Sequence, residues 1–499
     1  MNERRQVLLV FVAALALYTL TAGGSLSSSD AVVTFDLTRS IVERHSIALS
    51  GDVLGSSGNR GLDGRYYSQF GIGQSIYNIP FYLAGRAAAG LAGRQIGKPD
   101  TLPKAAVALG SAVAAAAAVA LIWLIAWRLT GDARGARLAA ASAAIGSPLW
   151  PYSKFGFSTA LTAAILAAAA YGCWTAIARR STRAAAGAGA AIAFGWLTRH
   201  EMALVLLPFL VFFWIEGRRR GLSSGEIRRY IIVLLSTAAV GGVLWMGYNT
   251  VRFGDPIAVG YAPSFSVEGY AAFLVAPAGS VLLFCPLVVL WVAGLIEVRS
   301  SMPGAIVLLA GPLLVAYLFY GGLADWPGGR SYGPRYLVPS LVLLAPGLAL
   351  LLQAARIRRR LVAIAILLAA MLQLPGVLVD YSKVSLDWAR AATGRAVEQR
   401  NWRFASSPLV LNARAARRAV PENAAYLTGR RPMPDAPAIG DRDDRGFAQR
   451  FSFSLDFWWL YLVYLRVLRA STALILAGAL ALVAVGAAAA ARMTALPPD

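Results

Sequence analysis

At 499 residues the chain could hold several soluble domains, but 58% of it is hydrophobic, only 14% is charged and its mean hydropathy is +0.58, which excludes ordinary packing in water. The formal charge of +22 first means loops held against an anionic cytoplasmic leaflet. No basic run is interleaved with aromatics on a soluble platform, so no nucleic-acid partner is expected.

The first apolar run, Gln6 to Gly23, is long enough to cross the hydrocarbon. It lacks a clear A-x-A cleavage site, so it is expected to remain as a membrane helix. SSSDAVVTFDLTRSIVERHSIALSGD follows at once. Val33, Leu37 and Ile41 recur every fourth residue while Asp36, Arg39 and Glu43 form a polar stripe, which predicts an amphipathic helix on the outer membrane surface. Asp30 stands at its start. A carboxylate there could take a proton from a hydroxyl at the membrane–water boundary, or it could simply cap the helix. For Asp36, a surface ion pair with Arg39 is the leading reading, with a second acidic role beside it.

GLDGRYYSQFGIGQS comes next, where glycines loosen the backbone and Asp63, Arg65, Tyr66 and Tyr67 offer contacts suited to a sugar ring or a phosphate. An interfacial loop with tyrosines at headgroup level is the plainer alternative. The segment 76–96 carries Asn78, Pro80 and Arg86 and is rich in glycine. It reads as an outer juxtamembrane or re-entrant helix, because a full crossing there would put Arg128, Arg134 and Arg137 outside.

Spans then follow at 105–127, 135–150, 157–178, 184–199, 201–216, 230–249, 279–298, 304–321, 336–353, 361–379 and 471–491. Their basic connectors (Arg179, Arg180 and Arg183; Arg218, Arg219, Arg220, Arg228 and Arg229; Arg356 with Arg358, Arg359 and Arg360) all fall inside by the positive-inside rule. With the first run this gives about twelve crossings and both termini in the cytoplasm. The expected architecture is all-α: a polytopic transmembrane helical module over 1–380 with outer loops 24–104, 250–278 and 323–335, a small extracytoplasmic region at 381–456, and an interfacial segment with a last helix over 457–499.

Three more outer elements carry polar groups. TRHE at 198–201 holds His200, more often a packed interfacial residue than a ligand. YNTVRFGDPIAVGY adds Asn249, Arg252, Asp255 and Tyr261, although G-D-P is also ordinary turn chemistry. WPGGRSYGPRYLVP sets Arg330 and Arg335 in a tight Gly/Pro loop at the mouth of a span, where a guanidinium could hold phosphate oxygens or could snorkel to lipid headgroups. The only cysteines, Cys173 and Cys285, lie in apolar spans and read as packing residues. No zinc spacing and no Walker loop is present.

Taken in order, SSSDAVV, D-G-x-Y-Y-S-x-F-G-x-G with IPFYLAG, LWPYS, LTRHE, YNTVRFGDP with GY, GGRSYGPRYLVP and SLDFWWLYL resemble the GT-C superfamily of integral-membrane glycosyltransferases. That superfamily includes the protein O-mannosyltransferases and the lipid A aminoarabinose transferases. The resemblance covers nearly the whole chain and points to an uncharacterised bacterial branch. It implies a GT-C-like fold in the bacterial cytoplasmic membrane, active on the extracytoplasmic face. The implied reaction moves a sugar from a polyprenyl-phosphate donor, with inversion, to a hydroxyl on a glycan, lipid or protein acceptor.

The catalytic acidic position maps onto Asp30 and the phosphate-contacting arginine onto Arg335, with Arg330 beside it. The substrate-contacting set implied by these loops is Asp63, Arg65, Tyr66, Tyr67, Asn249, Arg252 and Tyr261. This chain departs from the family loop at Gln69, where a basic residue is common, and at Ile72, where a proline is. No cofactor is firmly implied; a divalent metal stays open, although two histidines and scattered carboxylates offer no dedicated cage. A transporter or flippase for a lipid-linked glycan is the main alternative and would want mid-membrane charges and an inverted repeat. A scaffold would make no demand on Asp30.

Overall fold

The protein is described by a computed structural model covering residues 3–24, 26–50, 58–92, 99–260, 264–355, 357–393, 399–432 and 455–493. Helix α1 (Glu3–Leu20) leads through a short turn to α2 (Ser29–Arg44), then to a two-stranded antiparallel hairpin, β1 (Gly58–Arg60) and β2 (Tyr66–Ser68). Helices α3 (Gly73–Leu91), α4 (Thr101–Thr130), α5 (Ala133–Ile145), α6 (Leu149–Tyr152), α7 (Ser158–Ala178) and α8 (Thr182–Thr198) follow. After a 3-10 turn at His200–Val205 come α9 (Leu206–Arg219), α10 (Ser224–Phe253), α11 (Glu268–Val275), α12 (Val281–Phe284), α13 (Val288–Glu297) and α14 (Pro303–Gly321). The chain closes with α15 (Val338–Val342), α16 (Pro346–Ala354), α17 (Arg359–Leu378), α18 (Tyr381–Ala391), α19 (Pro408–Leu427), α20 (Trp458–Tyr464) and α21 (Ala470–Met493).

Local chemistry sets the helix ends. Ser223 and Glu226 form a reciprocal capping box at the start of α10, satisfying two orphan N–H groups. Gly131 ends α4 at φ 66°, a left-handed conformation that glycine adopts without a Cβ penalty.

Among the described residues seven helices are long and apolar enough to cross a membrane: α4, α7, the 200–219 unit, α10, α14, α17 and α21. The chain is thus a polytopic helical membrane protein with at least seven candidate spans. The other five expected crossings fall short for identifiable reasons. Helix α1 has 18 residues, but Glu3, Arg4 and Arg5 occupy its first turn, while α5 and α8 have 13 and 17 residues. The runs expected as single helices at 279–298 and 336–353 are each broken, into α12–α13 and α15–α16. Pro286 sits in the first gap and Pro346 opens α16; each lacks the N–H that would continue the ladder.

Contacts at one end of the bundle join distant connectors. Glu3 pairs with Arg128, Arg359 with Asp132 at 2.7 Å, and Gln353 donates to the Thr130 carbonyl at 3.1 Å. Arg137 donates to the Ala491 carbonyl at 2.8 Å. These contacts gather the start of α1, the α4–α5 and α16–α17 turns and the end of α21 at a single basic face. The core beneath runs through α4, α5, α7 and α16. Helix α13 meets α16 at Gly294 and Gly347, where a Cβ on either would strike the other helix's backbone.

Helix α2 differs from the expected surface helix. Val33 and Leu37 are buried as predicted, but so is Asp36. It accepts from Arg39 at 2.6 Å and from the Ser50 N–H and hydroxyl, both at 2.7 Å, so its ion pair with Arg39 is interior on the carboxylate side. Ser50 of the returning segment engages Asp36 and Arg39, while Glu43 at the far end of the stripe stays exposed. Helix α3 is not among the seven candidate spans and packs along α2, α4 and α8.

Candidate active site

A cavity of about 520 Å³ opens where α2, α7, α8, α14 and the 323–336 loop converge. Ser28 caps α2 by accepting from the Ala31 N–H at 3.1 Å. The cap thus belongs to Ser28, and the Asp30 carboxylate is left to face the cavity. There it receives a hydrogen bond from Arg335 Nη2.

Arg335 is brought to this point by its loop. Gly328, Gly329 and Gly333 have φ of 67°, 72° and 72°, turns that a side-chain-bearing residue would resist. Tyr332 N–H donates to the Tyr152 hydroxyl at 3.0 Å, so the LWPYS segment is a buried strut under the loop. The guanidinium lies 4.1 Å from the Phe157 ring centroid, and its Nη1 donates to the Gly328 carbonyl at 3.2 Å. Its Nε is buried without a hydrogen-bond partner, an unusual condition for so strong a donor.

Burial pushes the Asp30 carboxyl up, but the charge and hydrogen bond of Arg335, a hydrogen bond from Ser29 and the more distant Arg199 outweigh it. The group is held below the usual carboxylate range. Across the cavity burial pushes the Asp325 carboxyl up, and a hydrogen bond from the Tyr336 hydroxyl at 3.1 Å only partly opposes this.

The cavity contains groups that sequence reasoning passed over. Arg199 donates through Nε to Ser158 Oγ at 3.0 Å and stands 3.8 Å from Glu201. Tyr320 donates to Glu201 and stacks on Tyr336 at 4.3 Å. Arg400 reaches in from the region after α18 and donates to the Gly329 carbonyl at 3.3 Å. Arg199, Arg330, Arg335 and Arg400 therefore share the lining with Asp30, Glu201 and Asp325. The signal for two of the missed carboxylates was adjacency: Glu201 ends LTRHE and Asp325 directly precedes WPGGR.

The glycine-tyrosine loop contributes Gln69, Phe70, Gly71 and Gln74 to the lining. Asp63, Arg65, Tyr66 and Tyr67 do not line this cavity. Asp63 instead closes the hairpin turn, accepting from Arg65 N–H at 3.0 Å, Arg65 Nε at 2.6 Å and the Tyr67 hydroxyl at 2.8 Å. Those hydrogen bonds hold its carboxyl low, at about 2. Asn249 and Arg252 also lie off the cavity. Arg252 is 2% exposed, donates to Asn249 Oδ1 at 2.5 Å and to the Ser68 carbonyl, and so clamps β2 to α10. Tyr261 lies outside the described residues. Asp36 is likewise away from the cavity, in its pair with Arg39.

A second buried cluster braces the wall. Lys154 Nζ is 2.9 Å from Asp456 Oδ2, both side chains essentially unexposed, and Asp456 accepts from the Tyr461 hydroxyl at 2.8 Å. Asp380 nearby is pushed up to about 6 by burial and by Asp456. Asp456, in the SLDFWW segment, also donates its backbone N–H to the Leu378 carbonyl at 2.8 Å, four residues before Ser382 of the cavity lining. Among the described residues no three His, Cys, Asp or Glu side chains gather as a metal cage.

The family described as dolichyl-phosphate-mannose-protein mannosyltransferase matches residues 101–245. Its match covers α4 to most of α10 and leaves out both Asp30 and Arg335. No curated protein matches the sequence. Among solved structures, ArnT from Cupriavidus metallidurans bound to undecaprenyl phosphate aligns over 89% of this chain and 84% of its own, with 16% identity and a TM-score of 0.50. Its apo form gives 15% identity and a TM-score of 0.49 over the same shares. The Archaeoglobus fulgidus oligosaccharyltransferase in the apo form gives 14% identity and a TM-score of 0.45, over 82% of this chain and 60% of its own. The chain has a GT-C-like fold and resembles the ArnT and protein-mannosyltransferase type of membrane enzyme.

Proposed function

We propose that this chain is an inverting glycosyltransferase of the bacterial cytoplasmic membrane, moving a sugar from a polyprenyl-phosphate donor to an acceptor hydroxyl on the extracytoplasmic face. The single observation that carries this reading is Asp30 joined to Arg335 inside a cavity of about 520 Å³. A proton acceptor and a phosphate-sized donor group there share one small space. The undecaprenyl phosphate in the ArnT structure that aligns with this fold is the chemical precedent for the donor's lipid.

The pairing also orders the reaction. A carboxylate held low by an arginine is a weak base. Arriving donor phosphate competes for the guanidinium, which offers a fork of donors matched to phosphate oxygens, and Arg335 Nε has no other partner. Arg335, with Arg330 beside the cavity, takes the phosphate, and Asp30 is freed to accept the acceptor's proton. The hydroxyl oxygen attacks the anomeric carbon, the bond to phosphate oxygen breaks, and the arginines stabilise the charge left on the lipid phosphate. A phosphate leaves without needing a second proton donor. Most of the acceleration comes from position and charge stabilisation.

In the membrane the same reading gives about twelve crossings, counting the short and broken helices, with the basic face in the cytoplasm. Cysteines placed at Gly90 and Asp132 test it: labelling of 90 from outside and 132 from inside is expected, and the reverse would overturn the orientation. The catalytic reading is tested with Asp30→Asn and transfer from a synthetic polyprenyl-phosphate sugar. A loss of about 10²-fold or more is expected from removing a general base; full activity would remove Asp30 from the mechanism.

A further inference from the structure

At the opposite end of the bundle lies a larger hollow, about 730 Å³, between α1, α5, α17 and α21. Its two ends differ in chemistry. Val10 and Leu17 of α1, Leu138 and Ile145 of α5, and Ala484 and Ala488 of α21 make an apolar furrow. Arg134, Arg137, Arg359, Arg360 and Arg492 stand around it at the basic face. Arg359 is paired with Asp132 and Arg137 is engaged with a backbone carbonyl. Among the described residues Arg134, Arg360 and Arg492 have no carboxylate within ion-pair distance.

We propose that this furrow holds one anionic phospholipid, with its headgroup phosphate on the arginines and an acyl chain in the furrow. Depth supports a lipid. From Arg134 to Ile145 the α-helical rise spans about 16 Å, about half of the ~30 Å hydrocarbon core and therefore one leaflet. Charge supports an anionic one, because among the described residues only Arg359 of the five rim arginines has a carboxylate partner, Asp132, and the guanidiniums left over repel each other unless a further anion sits among them. The inference rests on the membrane-spanning fold and not on the transferase reading, so either can fail alone.

The test uses the full chain in native mass spectrometry with phosphatidylglycerol and phosphatidylcholine of identical acyl chains. One saturable phosphatidylglycerol is expected, held at least about tenfold more tightly than phosphatidylcholine, since each basic residue near the headgroup adds attraction for its net negative charge. The triple variant Arg134→Gln, Arg137→Gln, Arg360→Gln is expected to lose most of that preference. Equal binding of the two lipids by the unaltered protein, which needs no variant to fold, would overturn the proposal, as would an undiminished preference in the triple variant. Ala484→Trp fills the furrow and keeps the arginines. Release of phosphatidylglycerol from it supports the chain site. Unchanged retention, or displacement of the lipid by millimolar glycerophosphate from the unaltered protein, would reduce the site to a surface phosphate contact. A copurifying polypeptide in place of lipid would overturn the proposal too.

Discussion

Asp30 and Arg335 are 305 residues apart in sequence and share a hydrogen bond at the edge of one cavity. Each is the other's charge partner, and each is the group the proposed chemistry needs free. On the proposed reading the pair is a resting arrangement that substrate must open.

Arg335→Lys keeps the charge but removes the planar fork. A loss of about 10²-fold in transfer rate is expected, by analogy with removal of one stabilising donor, together with a raised KM for the phosphate-linked donor. Steady-state kinetics with donor varied would read both. Unchanged kcat and KM would show that Arg335 only balances Asp30.

The acid limb of activity should report the same pair. Asp30 is held below the usual carboxylate range, so free-enzyme activity should persist as pH falls below about 4, the ordinary aspartate value. In Arg335→Gln the lowering influence is gone and burial remains, so the acid limb of the residual kcat/KM should move to higher pH. An acid limb that stays in place would mean that another group titrates. For stability the sign is parallel: the pair contributes fully above the unfolded value, about 3.9, and that contribution fades as pH falls through the lower folded value.

Arg252→Ala should act on stability rather than on chemistry. Loss of hydrogen bonds from a buried cation to Ser68 and Asn249 is expected to cost about 3 kcal/mol and to expose the hairpin to protease. Turnover per folded molecule should change only a few-fold. A collapse of turnover with unchanged thermal unfolding would instead return Arg252 to the substrate-binding role.

Asp380 offers a separate stability test. Its folded value is raised to about 6, so ionisation disfavours the native state as pH climbs from the unfolded value, about 3.9, towards that point. Asp380→Asn keeps a side-chain oxygen for the Lys383 N–H, which the carboxylate now receives at 3.0 Å. It should be more stable than the parent at pH 7 by about 3 kcal/mol, with the difference vanishing near pH 4. Lys154→Met should move the other way, by about 3 kcal/mol or more, because it leaves Asp456 buried without its cation. Thermal unfolding in detergent across pH checks both.

Hydropathy and arginine spacing made the helical membrane architecture legible, because lipid demands long apolar runs and leaves basic connectors at their ends. LTRHE and WPGGR mark two segments that do line the cavity, yet by sequence His200 reads as a packed residue and Arg199 and Glu201 carry no role, although all three line the cavity. The hairpin's polar groups are engaged locally and lie off the cavity: Asp63 ties Arg65 and the Tyr67 hydroxyl together in an exposed turn, and Arg252 holds the Ser68 carbonyl and Asn249, pairings that residue type alone does not reveal.

By itself the sequence determined a polytopic helical membrane protein, since periodicity and composition are local properties that lipid constrains directly, while the GT-C resemblance rested on the order of the loop motifs. Only the tertiary structure decided which polar groups meet. Ser28 rather than Asp30 fills the cap of α2, and Asp30 meets Arg335, which arrives from the far end of the chain. Contacts of that range depend on how helices pack and where glycines let a loop turn back, and no local spacing encodes either.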